Sequence, residues 1–150
     1  MSAPTLGGKL LWTGLVYVGI AVLPTAWFAF ALEYSGYSEW LTPRTIALMA
    51  VEPVCVLALV WTTPFHDLYW TSVTLATVDG LAVLEPQPGP GFWFNTAYSY
   101  LAIAAGIALV LRLAMVGEHR YRSQALALLV GAFVPWIANA LHVLDALQFV

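Results

Sequence analysis

Residues 44–63 constrain the fold more than any other stretch, because they are long and apolar enough to cross a lipid bilayer and yet contain Glu52 and Pro53. A membrane-spanning helix needs about 20 mainly apolar residues to cross about 30 Å of hydrocarbon. Pro43, just before the run, is typical of the first turn of a helix. The run ends in an aromatic-rich segment, as expected at a membrane interface. We therefore predict a transmembrane helix here.

The composition extends this prediction to the whole chain. Hydrophobic residues make up 61 % of the 150 residues, charged residues 9 %, and the mean hydropathy is +0.83. Soluble domains are nearer half apolar and a quarter charged, so we expect a multi-pass protein whose main partner is the lipid bilayer. The net charge of −3 and the few scattered basic residues do not indicate nucleic acid binding.

Three further apolar runs bring the predicted number of spans to four. The predicted helices lie near residues 10–33, 44–63, 92–115 and 123–148. Two of the runs contain small residues four positions apart, Ala102 with Gly106 and Ala127 with Gly131. Such pairs let a neighbouring helix approach closely. We expect a single membrane domain, residues 1–150, without a separate soluble domain.

The connection between the second and third spans, residues 68–91, is predicted to contain a β-hairpin. Apolar and polar residues alternate over 71–84, around Asp79-Gly80. Asp-Gly between β-prone runs favours a two-residue turn, and the Pro- and Gly-rich run 86–91 is predicted to stop the second strand. The predicted fold class is all-α, a four-transmembrane-helix bundle with a short extracellular β-hairpin between helices 2 and 3.

The distribution of basic residues predicts the orientation. The connections at one side of the four spans hold Arg44, Arg112, Arg120 and Arg122, and the other side holds Lys9. Basic connections are retained on the cytoplasmic side of a membrane. We therefore predict a protein of the plasma membrane whose termini and hairpin loop are extracellular.

Four segments, in this order, carry a resemblance to a known family. They are AWFAFALEYSG, EPVCVLALVWTTPFHDLYW, GPGFWF followed by AYSYLAIAAG, and YRSQALALLVGAFVPWIAN. Over roughly residues 10–148 they resemble the N-terminal seven-transmembrane region of prokaryotic sensor histidine kinases. The resemblance implies that the four spans correspond to the third to sixth of that region. It also implies a sensory input domain that detects an unknown stimulus or small ligand and relays it through helix repacking to a cytoplasmic kinase module or a homodimer partner.

The sequence also departs from the family. It has no phosphoacceptor box and no Gly-rich nucleotide loop, and spans one, two and seven of the family have no counterpart. His119 lies in a short connection with its acidic neighbour before it, so we interpret it as a surface histidine. We therefore expect no catalytic residue and no enzyme activity in this chain. A fragment, a truncated gene product and a stand-alone homologue remain open.

Glu52 is the sharpest candidate for a functional residue, because an ionisable group inside a span is a functional hypothesis by default. One interpretation is a neutral side chain that donates a hydrogen bond. The other is a structural role, in which Glu52 caps backbone groups freed at Pro53. Pro24 and Pro135 lie inside the first and fourth spans, and with Pro53 they are where we expect a switch between helix packings.

Several aromatic and polar residues are predicted to converge at the outer side of the bundle. The set consists of Trp61, His66, Trp70, Trp93, Asn95, Trp136, Asn139 and His142. An aromatic-lined concavity with few polar groups is typical of a small-ligand site, although an ordinary aromatic belt with one interhelical hydrogen bond explains the same pattern. Pro135, Asn139 and His142 share one helix face, which we expect to look into the bundle.

A second function, a small haem- or redox-binding membrane protein, uses two of these residues. His66 and His142 are of a type that ligates metal or haem, but they lack the local spacing of a metal motif. Under the sensory interpretation we expect no cofactor and no metal. A visible absorption spectrum separates the two functions, because bound haem gives a Soret band.

Overall fold

The computed structural model describes residues 6–78, 81–116 and 119–148. There the chain forms four long helices and one two-stranded antiparallel sheet, which confirms the predicted fold class. The elements are α1 (Leu6–Tyr34), α2 (Pro43–Trp61), β1 (Trp70–Val78), β2 (Leu81–Pro88), α3 (Pro90–Val116) and α4 (His119–Gln148). Each helix contains a stretch long and apolar enough to cross a membrane.

Local sequence explains where α1 ends and where α2 begins. Gly36 follows the last turn of α1 with a φ of +85°, a conformation that glycine adopts without strain. The N–H of Tyr37 then donates to the carbonyl of Leu32 at 2.8 Å, which satisfies a terminal carbonyl of the helix. Before α2, the Oγ1 of Thr42 accepts from the N–H of Thr45 at 3.2 Å and caps the first turn. The chain therefore reverses within a short connection.

α1 lies between α2 and α3, and α4 packs against α3. α2 returns antiparallel to α1, whereas α1 and α3 run in parallel. Two contacts show the parallel arrangement. Thr25 is hydrogen-bonded to the Tyr98 hydroxyl at 3.0 Å, and Tyr37, just after α1, accepts from Arg112 near the end of α3 at 2.6 Å. In the described part of the chain, α1 and α3 are thus two inner, parallel helices, flanked by α2 and α4.

Two buried clusters hold the helices together, one toward each end of α1. The cluster at the hairpin end consists of Ala21, Val56, Val60, Tyr69 and Trp70. The cluster at the other end consists of Ala31, Ile107, Val110, Ala114, Ala125 and Leu129. Outward-facing side chains such as Leu48 and Leu101 are 73 % and 72 % exposed, and their apolar character suits contact with lipid.

The hairpin follows the predicted register. Val78 pairs with Leu81, which leaves a two-residue connection at Asp79-Gly80, and those two residues lie outside the described part of the chain. β2 ends at Pro88, inside the Pro- and Gly-rich run 86–91 that was predicted to stop it, but it extends four residues beyond the predicted hairpin end at residue 84. Each strand of a two-stranded hairpin has an open edge, and proline is tolerated there because its missing N–H need not remove a ladder hydrogen bond.

Two glycines hold the base of the hairpin against the start of α3. The N–H of Gly89 donates to the carbonyl of Tyr69 at 2.9 Å, and the N–H of Gly91 donates to the carbonyl of Leu68 at 2.8 Å. A Cβ atom on Gly89 would lie 2.8 Å from the Leu68 carbonyl oxygen. The backbones approach so closely here that only glycine fits without movement.

The two pairs of small residues behave differently. Gly106 lies directly against Trp27 of α1, whose Nε1 donates to the carbonyl of Ile103 at 3.3 Å. This contact confirms the predicted close approach of a neighbouring helix to α3. At Gly131 of α4 no described atom lies within 4 Å of the position that a Cβ would occupy. The prediction of a close approach there was wrong for the described part of the bundle.

Candidate functional site

A buried hydrogen bond joins the base of the hairpin to α3. The Nδ2 of Asn95 donates to the Tyr69 hydroxyl oxygen at 2.9 Å, and the Oδ1 of Asn95 accepts from Ser99 at 3.3 Å. Asn95 is 4 % exposed and Tyr69 is fully buried. We call these three hydrogen-bonded residues, together with Glu52, whose charge acts on the Tyr69 hydroxyl, the polar junction. It lies where the hairpin, α1, α2 and α3 meet.

Aromatic rings enclose the polar junction on the hairpin side. The ring of Tyr69 makes edge contacts with Tyr17 of α1 at a centroid distance of 5.3 Å, with Trp70 at 5.2 Å and with Phe92 of α3 at 6.2 Å. Trp70 also contacts Tyr17 at 5.4 Å. Such edge-to-face pairs favour a defined geometry beyond simple burial. Tyr69 at the hairpin base therefore contacts both α1 and α3.

The environment of Tyr69 keeps its phenol protonated. Burial raises the pKa of the Tyr69 hydroxyl well above its ordinary value, and the neighbouring Tyr17 and Glu52 groups add to the rise. The oxygen already accepts from Asn95, so its own proton is available to donate. Tyr69 is thus a neutral hydrogen-bonding group throughout the physiological pH range.

Glu52 is the unusual member of the polar junction. It is 7 % exposed, and neither of its carboxyl oxygens has a hydrogen-bond partner among the described residues. The interpretation that Glu52 caps backbone groups freed at Pro53 therefore has no hydrogen bond to support it. Leaving a polar group buried and unpaired costs about 1–3 kcal/mol, and more for a charged one. A residue of this kind calls for a functional explanation.

Two of the three candidate switch prolines lie at about the same level of the α1–α2 pair. Trp61 of α2 covers Gly14 of α1, and Val56 clusters with Ala21 further along the same antiparallel pair. Pro24 lies three residues after Ala21, and Pro53 lies three residues before Val56. Both prolines are buried. Because the rise per residue is the same in both helices, the two prolines lie at one level.

Pro135 and Asn139 do not look into the described bundle. Both are exposed, so the prediction for this helix face was wrong where it can be examined, and the side chain of His142 lies outside the described set. α4 makes its main contacts with α3 alone, which leaves this face uncovered. Asn139 accepts from the Tyr100 hydroxyl at 3.0 Å, and Trp136 packs against Tyr100 at 5.6 Å.

Three more of the predicted residues, Trp61, Trp70 and Trp93, lie at the hairpin end. Trp61 is 52 % exposed and borders a cleft of about 190 Å³ between α1 and the end of α2. Trp70 borders a second cleft of about 220 Å³ with Val73 of β1. Leu10 of α1 lines both clefts. Trp93 is partly buried and packs against Phe92 at 5.4 Å.

His66 uses both ring nitrogens for local hydrogen bonds. Its Nδ1 accepts from the N–H of Leu68 at 3.2 Å, so its Nε2 carries the proton and donates to the Oγ1 of Thr62 at 2.8 Å. Thr62 in turn donates to the carbonyl of Ala58. His66 therefore ties the end of α2 to the segment that leads into the hairpin, and a metal would have to displace one of these bonds. No cluster of three metal-ligating side chains occurs among the described residues.

The sequence alone did not single out Tyr69, Tyr17 or Ser99. Tyr69 stands beside Trp70 in an aromatic segment that resembles a membrane-interface belt, which gives no indication of full burial. The spacing of Ser99 four residues after Asn95, one helical turn, was the available signal. Only the return of the hairpin base onto α3 brings Tyr69 into this group.

A comparison with protein-family models shows which family the chain matches. The model for the N-terminal 7TM region of histidine kinase matches residues 1–150. The chain belongs to this family. The match confirms the resemblance inferred from the sequence, and within the 150 residues it is the 7TM sensor region, and no kinase domain, that is matched. No curated protein and no solved structure matches the chain.

Proposed function

We propose that this 7TM-region chain receives a stimulus within the membrane and relays it to a kinase through a change in helix packing. Membership of the histidine kinase family supports the signalling context. The proposed partners are the lipid bilayer, a cytoplasmic kinase module or a second copy of the protein, and a small ligand. The stimulus acts at the hairpin end, and the relay begins at the polar junction.

The Tyr69–Asn95 hydrogen bond is the observation that carries this proposal. It is buried, and it connects the hairpin base to α3. The aromatic contacts of Tyr69 extend the connection to α1. A relay requires an element with two arrangements whose balance the stimulus shifts. We propose that the paired Pro24 and Pro53, where each helix lacks one internal hydrogen bond, provide it.

The proposed stimulus site consists of the two clefts at the hairpin end. Their volumes of about 190 and 220 Å³ are below the range typical of drug-sized ligands. They suit a small apolar molecule or part of an acyl chain. Trp61, His66, Trp70, Trp93 and Asn95 belong to this end of the bundle, whereas Trp136 and Asn139 form a separate group on α3 and α4.

We also propose that the hairpin end is extracellular. Arg44 and Arg112 lie at the opposite end of the bundle, where basic residues would remain in the cytoplasm. A signal received at the hairpin would then travel along α1 and α3 toward the cytoplasmic side.

The test is to splice residues 1–150 into a full-length histidine kinase of the family and to measure phosphorylation of its response regulator. We expect Tyr69→Phe and Asn95→Leu to change the output, because each breaks the buried hydrogen bond. Trp93→Ala tests the hairpin end more broadly, and Asn139→Leu, which removes an exposed hydrogen bond, is the matched control. Normal expression and unchanged phosphorylation in both Tyr69→Phe and Asn95→Leu would contradict the relay.

No observation among the described residues favours the haem or redox alternative. Both nitrogens of His66 are hydrogen-bonded within the chain. The visible absorption spectrum of the purified protein tests it independently, and a Soret band that disappears in His66→Ala would support the alternative.

A further inference from the structure

Glu52 faces other helices from within a membrane span. Its neighbours on the buried side of α2 are Pro53, Val56 and Val60, and this side packs on α1 and on the hairpin base. Thr25, which is hydrogen-bonded to Tyr98 of α3, lies one turn after Ala21 on α1. Glu52 lies one turn before Val56 on α2, and Ala21 and Val56 belong to the same cluster. The antiparallel pairing therefore places Glu52 at the level of the Thr25–Tyr98 hydrogen bond.

No cationic group faces Glu52 from the elements described around it. The titratable groups closest to it on the packed elements are tyrosines: Tyr69 at the hairpin base, whose hydroxyl the Glu52 charge influences, and Tyr98 of α3, which is bonded to Thr25 at the level of Glu52. Tyr17 of α1 lies about 12 Å further toward the hairpin along its helix. The nearest cations are Arg44, eight residues back on α2, Arg112, fourteen residues beyond Tyr98, and Lys9, sixteen residues before Thr25. At 1.5 Å per residue these are about 12, 21 and 24 Å away along the helices.

An ionised carboxylate is poorly accommodated in these surroundings. Removing a charge from water without a counter-ion or several donors is costly, and it is costlier still in hydrocarbon. A proton relieves this cost and, unlike an organic cation, needs no cavity. The clefts lined by Trp61 and Trp70 do not include Glu52.

We propose that Glu52 is a proton-binding site inside the membrane and that its protonation controls how α2 packs against α1 and α3. In the protonated state, one carboxyl oxygen carries a proton taken from water, and the neutral acid needs no counter-ion. Loss of the proton to water leaves an anion that accepts only, and α2 must shift until hydroxyl groups or water reach it.

The location of the site makes this shift consequential. Glu52 adjoins Pro53, which lies level with Pro24, so the movement falls where both helices lack an internal hydrogen bond. Tyr69 is close enough for the charge on Glu52 to act on its hydroxyl. Proton binding at Glu52 does not depend on the signalling role proposed above.

The test uses the full chain in lipid nanodiscs and infrared difference spectra recorded from mildly acidic to mildly alkaline pH. We expect a carboxylic-acid carbonyl signal that is lost reversibly as the pH rises. It should be absent in Glu52→Gln and retained in Glu39→Gln, which changes an exposed glutamate in the short turn before α2. Tryptophan fluorescence, through buried Trp70, should change over the same pH interval in the wild type and stay constant in Glu52→Gln.

Three results would overturn the proposal. They are a carboxylic-acid signal that persists in Glu52→Gln, a Glu52 side chain that is ionised throughout, and one that stays protonated throughout the interval. If Glu52→Gln does not fold, as judged by circular dichroism, ¹³C labelling of the glutamate carboxyl groups in the wild type gives the same answer. The Glu52 signal is then assigned through Glu52→Asp, which removes one labelled glutamate and keeps the acid.

Discussion

Asn95 of α3 and Tyr69 at the hairpin base are joined by a buried hydrogen bond of 2.9 Å between residues that are far apart in sequence. We predict that Tyr69→Phe lowers the free energy of unfolding by about 1–3 kcal/mol, because it leaves the Asn95 amide buried without an acceptor. Thermal unfolding in detergent micelles, followed by circular dichroism, measures the change. The double variant with Asn95→Leu should lose less than the sum of the single variants.

Tyr37→Phe is the control for that experiment. Its hydroxyl accepts from Arg112 at 2.6 Å on the exposed surface, where water replaces a lost partner. We expect a change within about 0.5 kcal/mol. Equal effects of Tyr69→Phe and Tyr37→Phe would mean that the buried hydrogen bond contributes nothing special.

The second prediction concerns alkaline pH. Folding raises the pKa of Tyr69 through burial, so its stabilising contribution is complete below the ordinary tyrosine pKa of about 10. Above that pH the unfolded chain releases the proton and the folded chain retains it. Stability should therefore fall as the pH rises, by up to about 1.4 kcal/mol per pH unit for this group. Tyr69→Phe should make the decline shallower, and an unchanged slope would contradict the prediction.

The third prediction compares two glycines on helices. Gly106→Ala places a methyl group into the indole of Trp27, which must move and give up its contact with α3. We expect a loss of about 1–3 kcal/mol, the usual cost of overpacking. Gly131→Ala meets open space and should be neutral or slightly stabilising, because alanine is the better helix former. Thermal unfolding of both variants measures the two changes in stability. A larger loss of stability in Gly131→Ala than in Gly106→Ala would contradict the packing of Gly106 against Trp27.

The fourth prediction is the orientation in the membrane. Single cysteines at Ser38, Gly80 and Glu118, in a Cys55→Ser background, are labelled with a membrane-impermeant thiol reagent in intact cells. Gly80 and Glu118 lie outside the described residues, but their connections are assigned to opposite sides by the basic-residue count. Only the cysteine at Gly80 should react from outside. Reaction of the cysteine at position 38 or 118 would show that the predicted orientation is wrong.

Much of the fold could be predicted because it depends on local sequence. Apolar runs of sufficient length specify membrane helices, and Asp79-Gly80 between alternating residues specified the register that pairs Val78 with Leu81. The hairpin was predicted to end at residue 84, whereas pairing continues to Pro88 because an open strand edge tolerates proline.

The candidate site depended on tertiary contacts and was predicted less well. Glu52 was identified because polar groups in apolar helices are costly, and Asn95 because it belongs to the aromatic and polar set predicted to converge at the outer side of the bundle. The partner of Asn95, Tyr69, was not, because its burial follows from the close backbone contact between Gly89 and Leu68. Asn139 was expected to face inward for the same energetic reason as Glu52, but in the described bundle α4 contacts mainly α3, which leaves it exposed.

We propose that the polar junction couples the hairpin to the packing of α1 and α3. Hydrogen–deuterium exchange of the full chain in a bilayer tests this coupling, because exchange reports local opening of backbone hydrogen bonds. For Tyr69→Phe we predict faster exchange in the hairpin, in α3 around Asn95, and in α1 and α2 near Pro24 and Pro53. Asn139→Leu should leave these regions unchanged. Faster exchange confined to the hairpin in Tyr69→Phe would contradict the claim.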